Sequence, residues 1–356
     1  MHLTLFVPDL LWPDHDHRQA FEFDQASQLA RFLSLAAHTA TPFSQTDSWE
    51  SVLAQTFGLS DRTSPLGALR LLGESDEITD NQAYGRTLLC ADPVSLDFIQ
   101  QSLVLSSLDA AQLSFDDANR LIASLNEEFS GEGSFFTGSS PAHWYFAPKD
   151  AVGELPNLAA CSRLLGRRID ADESRQVLGQ DGLRWLNRIQ MCLNDHPVNE
   201  ERQMNGLTTI NSVWPWGAGL LDANTACETP PFDWAVGNSA LLRGLCMLTG
   251  TTHTPQINTS SSGLLLDTSL ATAIAQDDMA SWQKAVNTLI LTHIAPALSA
   301  LVSGELDSLT IIAPDAYQTH QWTLASNHKN LRPSLIQRLL GQTHKHAELA
   351  TLVRSW

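Results

Sequence analysis

Positive charge is scarce in this sequence. Its 21 Lys and Arg stand against 39 Asp and Glu, a net charge of −18, and only 17% of the 356 residues are charged at all. No Lys/Arg-rich run occurs, so the cationic footprint that nucleic acids and anionic membrane surfaces require is missing. Cysteine is sparse too. Cys90, Cys161, Cys192, Cys227 and Cys246 are widely spaced, odd in number and form no C-x-x-C pair, which points to a reduced compartment rather than a disulfide framework. The opening MHLTLFVPDLLWPD lacks a basic region, and Pro8 and Asp9 break its apolar run, so it makes a poor signal peptide. No continuous apolar stretch approaches the ~18 residues of a membrane span. Internal repeats and low-complexity tracts are absent. A cytoplasmic protein with no nucleic-acid or membrane partner is expected.

What is abundant is apolar material, 43% of the chain, which excludes disorder. At roughly 150 residues per domain it suffices for about two cores. Residues 3 to 7, LTLFV, form a short run closed by Pro8-Asp9, the form of a buried strand followed by a loop, and LTIIA at 309 to 313 before Pro314-Asp315 repeats it. Helical spacing appears first at Leu29, Phe32, Leu33 and Ala36. Next come Trp49, Val52, Leu53 and Phe57, with Asp47 and Glu50 as a capping box and Gly58 as the stop. A third helix is expected from Ser64 as N-cap, with Pro65 at its first position and Gly73 at its end.

After Gly73 the polar GESDEITDNQ gives way to strand-like runs, TLLCADPVSL, SLVLSSL and HWYFA at 143 to 147, around one helix capped by Ser114. The helical pattern returns from Gly182 with Trp185, Ile189 and Leu193, and stops at Asp195-His196-Pro197. A strand is predicted at 208 to 214, a helix at 238 to 249, and a long helix over 278 to 302 kinked near Pro296. This order predicts an α/β core, 1–74 plus 182–356, interrupted by a smaller inserted α+β domain at 75–181.

Several residues could carry chemistry. Asp9 and Asp315 each follow a predicted strand, where ligands of open α/β sheets gather, so the two carboxylates could hold a divalent cation; each equally suits an ordinary turn. Ser64 at a helix start could bind an anion or take a phosphoryl group, or simply cap the helix. Asp14-His15-Asp16-His17 packs four possible metal ligands into one loop, yet such neighbours seldom all face one ion. His344-Lys345-His346 reads as a solvated face. Trp214-Pro215-Trp216-Gly217 offers a ligand platform or, more commonly, core packing. The most distinctive stretch, DHPVNEERQMNGLTTINSVWPWGAG at 195 to 219, carries Asn199 and Arg202, an amide and a guanidinium suited to phosphate or carboxylate. Arg202 could alternatively pair with Glu200 or Glu201 on the surface.

That stretch resembles the archaeal-type branch of the cofactor-independent phosphoglycerate mutases, which carry an H-P-V-N-x-x-R-x-x-x-G segment before an A-N strand and a Gly-rich turn. His196-Pro197-Val198-Asn199, Arg202 and Gly206 match in register, and Ile210-Asn211 and Gly217-Ala218-Gly219 follow. A weaker resemblance runs along nearly the whole chain. It implies an alkaline-phosphatase-like core sheet flanked by helices, with 75–181 as the mutase insertion. It also implies Asp9 as the first metal ligand, Ser64 as the nucleophile, and His143, His196, Asn199 and Arg202 as substrate-binding residues. Ser262-Gly263 and Asp267-Thr268 are similar to the loop after the family's second Gly-rich turn. The layout also resembles the RpfE-type regulatory proteins of bacteria, which share the opening Leu-Leu-Trp-Pro and the Asn-Ser-x-Trp-x-Trp-Gly segment.

The departures from the mutase pattern bear on chemistry. The family needs two metal ions held by several Asp and His. Its Asp-x-x-x-His motif is reduced here to Asp277-Asp278 followed by Ser281-Trp282, and its Asp-His pair to Asp315-Ala316. Pro65 and Leu10 replace an Asp and a Gly. Without imidazoles, manganese or zinc should bind weakly to Asp9, Asp277, Asp278 and Asp315, and Ser64 then has no evident activation. The resulting expectation is a degenerate mutase-like pseudoenzyme, a non-catalytic regulatory or metabolite-sensing module with a residual site for a small phosphorylated or carboxylated metabolite. The alternative is a metal-dependent mutase or phosphotransferase that recruits His15, His17 or His320 as other ligands. A third reading is a structural interaction protein with tryptophans near 214 to 216 as its contact surface.

Overall fold

The computed structural model describes residues 1–59, 64–74, 83–99, 102–106, 108, 110–149, 157–222, 225, 229–258, 260–328, 331 and 348–355; the segment His344-Lys345-His346 lies outside the described residues. In chain order the elements begin with β1 (His2–Phe6), α1 (Ala26–Leu35), β2 (Ala37–Pro42), α2 (Trp49–Thr56), α3 (Leu66–Leu72), β3 (Thr87–Ile99) and β4 (Ser102–Ser106). Then come α4 (Phe115–Glu128), β5 (Gly133–Thr137), β6 (Trp144–Pro148), β7 (Arg168–Ile169), α5 (Ala171–Leu193, broken by a kink at Gly179, φ 60°), α6 (Pro197–Met204) and β8 (Ser212–Leu220). The rest are β9 (Trp234–Val236), α7 (Ala240–Thr249), β10 (Thr252–His253), β11 (Gly263–Leu266), α8 (Ala271–Ala275), α9 (Met279–Leu289), α10 (Ala295–Ser303), β12 (Ser308–Pro314), β13 (Gln318–Ala325) and α11 (Leu349–Val353). The class is mixed α/β, with a central mixed sheet flanked by helices.

Two compact units divide the chain. Met1–Phe43, Phe232–Gly237 and Thr252–Trp356 make the first, and Ser44–Pro231 with Asn238–Thr251 the second. The first holds a seven-stranded sheet in the order β10-β9-β11-β1-β12-β13-β2. Strands β10 to β12 in that order run parallel, while β13 and β2 are antiparallel additions. β1 has a neighbour on each edge, so an unbroken apolar run suits it, and Leu5, Phe6 and Val7 are fully buried. Leu3, Leu5 and Val7 point to one face, where Leu29, Phe32 and Leu33 of α1 and Trp282, Val286 and Leu289 of α9 share their core.

The helix predicted over 278 to 302 is interrupted. A π-helical turn, Ile290–Ile294, joins α9 to α10, immediately before Pro296. Proline brings no N–H for the carbonyl one turn back and its ring collides with that carbonyl, which the wider turn relieves. By length and composition the span Met279–Ser303 is apolar enough to cross a membrane, contrary to the expectation from continuous runs, because its scattered polar residues hide the average. Trp282, Val286, Leu289, Ile290, Ile294 and Leu301 of this span lie in the unit's core.

The second unit is built on β3. This long strand pairs antiparallel with β8 over Thr87–Val94, with β6 at Leu89–Cys90 and with β4 over Ser95–Ile99, while β5 and β7 extend the sheet from β6 and β4. Ser114 caps α4 as expected, accepting from the Asp117 amide at 3.1 Å. The cap of α2 falls one residue later than predicted: Ser48 and Ser51 form the capping box, not Asp47 and Glu50. The strand predicted at 208 to 214 is β8, starting at Ser212, because α6 holds the preceding residues in a turn.

Inside the second unit the backbones of α3 and α7 come into contact: a Cβ on Gly73 would lie 1.9 Å from the Ala240 carbonyl oxygen, and one on Gly244 1.8 Å from that of Leu69. Only glycine at both positions permits so close a crossing, and it binds α3 into the second unit.

Candidate functional site

Ser64 does not cap a helix. α3 begins at Leu66, Pro65 occupies the cap position, and the Leu66 amide donates to the Ser64 carbonyl at 2.8 Å. Strand β8 fixes where this segment lies. Gly217 has φ 66°, a Cβ on it would stand 2.8 Å from Leu66 Cβ, and one on Gly219 would stand 2.6 Å from Pro65 Cα. The two glycines thus admit residues 65 to 67 against the strand.

Beside Ser64 opens a cavity of about 470 Å³. Its wall takes Ser44, Thr46, Asp47, Ser48 and Ser51 from the start of α2 and the loop before it, and Asn157 and Trp216 from elsewhere in the same unit. Arg163 holds that loop by donating from Nη1 to the carbonyls of Ser44, Gln45 and Asp47 at 2.7, 3.2 and 2.9 Å. Behind the wall lies a buried polar network. Burial pushes the Glu50 carboxyl up to about 7 against hydrogen bonds from its own backbone, Ser48 and Ser162, the last at 2.8 Å. Arg70 meets Asp92 at two points, 2.9 Å from Nη1 to Oδ2 and 2.7 Å from Nη2 to Oδ1, and also donates to Tyr145 Oη and the Trp144 carbonyl. Trp216 Nε1 donates to the same Asp92 at 2.7 Å. Burial raises the thiols of Cys90 and Cys161 well above their ordinary value, which favours the protonated form of each.

The residues expected to bind substrate each hold hydrogen-bond contacts within the protein. Asn199 Nδ2 donates to the carbonyls of Leu193 and Ile210 at 2.7 and 2.9 Å, and its Oδ1 accepts from the Ile210 amide at 2.8 Å. Arg202 donates from Nε to the Thr208 carbonyl and from Nη1 to the Gln112 carbonyl, rather than to Glu200 or Glu201. Together they brace the turn that leads into β8. His196 caps α6, its Nδ1 accepting from the Val198 amide at 3.2 Å, and its Nε2 lies 3.2 Å from Ser124 Oγ. His143 Nδ1 sits 2.8 Å from Glu74 Oε1. Burial works to raise the Glu74 carboxyl, but His143, the Tyr145 hydroxyl and the Ser139 amide together hold it below its usual value.

The proposed metal carboxylates belong to the first unit, where they shape turns. Asp9 and Asp277 take left-handed φ of 60° and 54°. The Asp9 carbonyl accepts from Trp282 Nε1 at 2.9 Å. Asp278 caps α9 through the Ser281 amide at 3.0 Å. Asp315 Oδ1 accepts from the amides of Tyr317 and Gln318 at 2.6 and 2.8 Å, and its Oδ2 lies 3.6 Å from His320 Nε2. Burial opposes ionisation of Asp315, yet His320 and those two amides keep its carboxyl below the usual range. His320 is wholly buried, and its Nδ1 is 3.0 Å from His38 Nε2. His15 is lowered mainly by burial, with Asp315 and His320 also acting on it. Among the described residues no three His, Cys, Asp or Glu side chains gather as a group that could hold a metal ion.

No family profile matches the chain. A 2,3-bisphosphoglycerate-independent phosphoglycerate mutase of Methanosarcina mazei is 29% identical over 124 residues, 35% of this chain and 31% of that enzyme. The corresponding enzyme of Methanosarcina acetivorans is 31% identical over 119 residues, covering 32% and 29%. About a third of the chain is distantly homologous to cofactor-independent phosphoglycerate mutases. The chain spans about a third of the length of the curated relatives it matches. Among solved structures, the PH0037 protein from Pyrococcus horikoshii aligns over 91% of this chain and 87% of that one, with TM-score 0.48 and 12% identity. The cofactor-independent phosphoglycerate mutase from Thermoplasma acidophilum aligns over 92% and 90%, with TM-score 0.36 and 16% identity.

Sequence reasoning did not find Asp47 and Asn157 as cavity residues, or the Arg70–Asp92 pair behind them. An arginine and a carboxylate inside otherwise apolar runs, LGALRLL and TLLCADPVSL, were the available signals of a buried pair. The core packing expected more commonly of the tryptophans at 214 to 216 is what the structure has, and the third reading, an exposed contact surface, is not: Trp214 is inaccessible and donates to the Ala159 carbonyl, and Trp216 is 4% exposed.

Proposed function

We propose that this chain is a non-catalytic, ligand-binding module on a mutase-like scaffold, a cytoplasmic regulatory or sensing protein of the RpfE type. The observation that carries the reading is the contrast between its two candidate sites. The carboxylates assigned to metal serve turns and a helix cap, and no donor set assembles among the described residues, whereas Ser64 borders a polar cavity of about 470 Å³. Two-metal phosphoryl transfer requires ions to lower the pKa of the nucleophile and to neutralise charge in the transition state, and this arrangement offers neither. Asn199 and Arg202 hydrogen-bond to backbone groups, which supports the cavity over the His196–Arg202 segment as the ligand site. The opening Leu-Leu-Trp-Pro and the Asn-Ser-x-Trp-x-Trp-Gly segment support the regulatory reading.

One observation favours a metal-dependent phosphotransferase instead: His320 lies 3.6 Å from Asp315 and 3.0 Å from His38. Elemental analysis after dialysis against Mn²⁺ and Zn²⁺, with an assay for interconversion of 2- and 3-phosphoglycerate, separates the two. The expected result is no stoichiometric metal and no turnover. Two ions per chain with turnover that Ser64→Ala abolishes would overturn the proposal.

A further inference from the structure

We propose that the cavity beside Ser64 takes an uncharged polyhydroxylated molecule, a monosaccharide or polyol; this rests on the ligand-binding reading above. Its volume of about 470 Å³ lies within the ~300–1,000 Å³ of small-molecule sites. Among the described residues of its wall, Asp47 is the one acidic or basic side chain. Among the described residues of that wall a phosphate or carboxylate would lose its hydration, meet no cation and face a carboxylate. The Arg163 guanidinium is turned to the three carbonyls of the 44–47 loop, where it fixes the wall.

The polar groups suit a diol. Asp47 Oδ2 accepts from the Ser44 amide at 2.6 Å, which leaves Oδ1 as an acceptor for a ligand O–H. Asn157 Oδ1 accepts from the Ala218 amide at 3.0 Å, which leaves its NH2 group to donate to a ligand oxygen. Adjacent hydroxyls of one molecule can satisfy both, since each gives one hydrogen and offers two lone pairs. The exposed Ser44 and Thr46 place two further hydroxyls in the wall, and the buried Leu66 and Leu158 supply apolar surface for C–H faces.

Isothermal titration of the full chain with glucose, myo-inositol and glycerol, and separately with 3-phosphoglycerate and inorganic phosphate, tests this. Saturable binding of at least one neutral compound is expected, with both anions at least about tenfold weaker. Asn157→Leu and Thr46→Val should each weaken that binding by about 3- to 10-fold, with Tm unchanged for Thr46→Val and lowered by at most a few degrees for Asn157→Leu, which also loses the acceptor for the Ala218 amide. Stronger binding of either anion overturns the ligand class and leaves the ligand-binding reading standing. Neutral binding that neither substitution weakens overturns the site. No binding by any of the five compounds counts against both.

Discussion

The turn and helix-cap carboxylates of the first unit and the buried carboxylates of the second are satisfied by different means. Asp278 and Asp315 accept from amides only two or three residues further on, so their partners come with the sequence neighbourhood. Glu50, Glu74 and Asp92 rely on side chains brought from afar: Ser162, Tyr145 and Arg70. A local amide costs no tertiary organisation and survives rearrangement around it. A buried side-chain partner exists only once the unit is packed, and its loss leaves a polar group without water. Substitutions that strip a group of its partner should therefore be tolerated in the first set and damaging in the second.

The strongest challenge to that contrast is Arg70→Met, which roughly preserves volume and removes the charge. Asp92 would stay buried without its cation, and Tyr145 and the Trp144 carbonyl would lose a donor. Breaking one side of such a pair costs about 3–5 kcal/mol, which urea unfolding would read directly. A loss below about 1 kcal/mol would show that the network is incidental to the fold.

Glu50 sharpens the contrast through pH. Its carboxyl moves from 4.5 to about 7 on folding, so the folded state holds the proton more tightly than the unfolded chain. Stability is therefore lost as pH rises from about 4.5 to about 7, and the loss is complete above that. Glu50→Gln cannot ionise and keeps an acceptor for Ser162, so the variant should equal the native protein near pH 4.5 and exceed it at pH 8 by about 2–3 kcal/mol. Parallel stability curves for the two proteins across this range would remove Glu50 as the cause.

Legibility in the sequence followed the same division between local and distant. The central strands β1 and β12, the Ser114 cap and the end of α5 near Leu193 are written in contiguous residues, and local rules found them. The Asn199 and Arg202 pattern was visible too, but a polar residue's partner is not: the same amide and guanidinium that suit phosphate also suit carbonyls, and the turn at 208 to 210 claimed them. The cavity could not be read at all, because its wall joins residues near 44–51, 64–66, 157–160 and 216–218. Only the glycines of Gly217-Ala218-Gly219 hinted that another backbone lies close.

The smallest expected effect falls on Asp278, which sequence resemblance made a metal ligand and the structure makes an N-cap. Both roles use a side-chain oxygen, but they differ in what replaces it. A cap needs an acceptor for the Ser281 amide, and Asn supplies one as well as Asp does. A metal site needs the negative charge, which Asn lacks. Asp278→Asn should therefore leave Tm nearly unchanged, and Asp278→Ala should lower it by a few degrees, in Mn²⁺ and in EDTA alike. If Asn and Ala lowered Tm equally, and only in the presence of Mn²⁺, the ligand role would hold and the helix cap would be secondary. Equal behaviour in both solutions would instead place Asp278 with Asp315, a carboxylate serving the amides of its own turn.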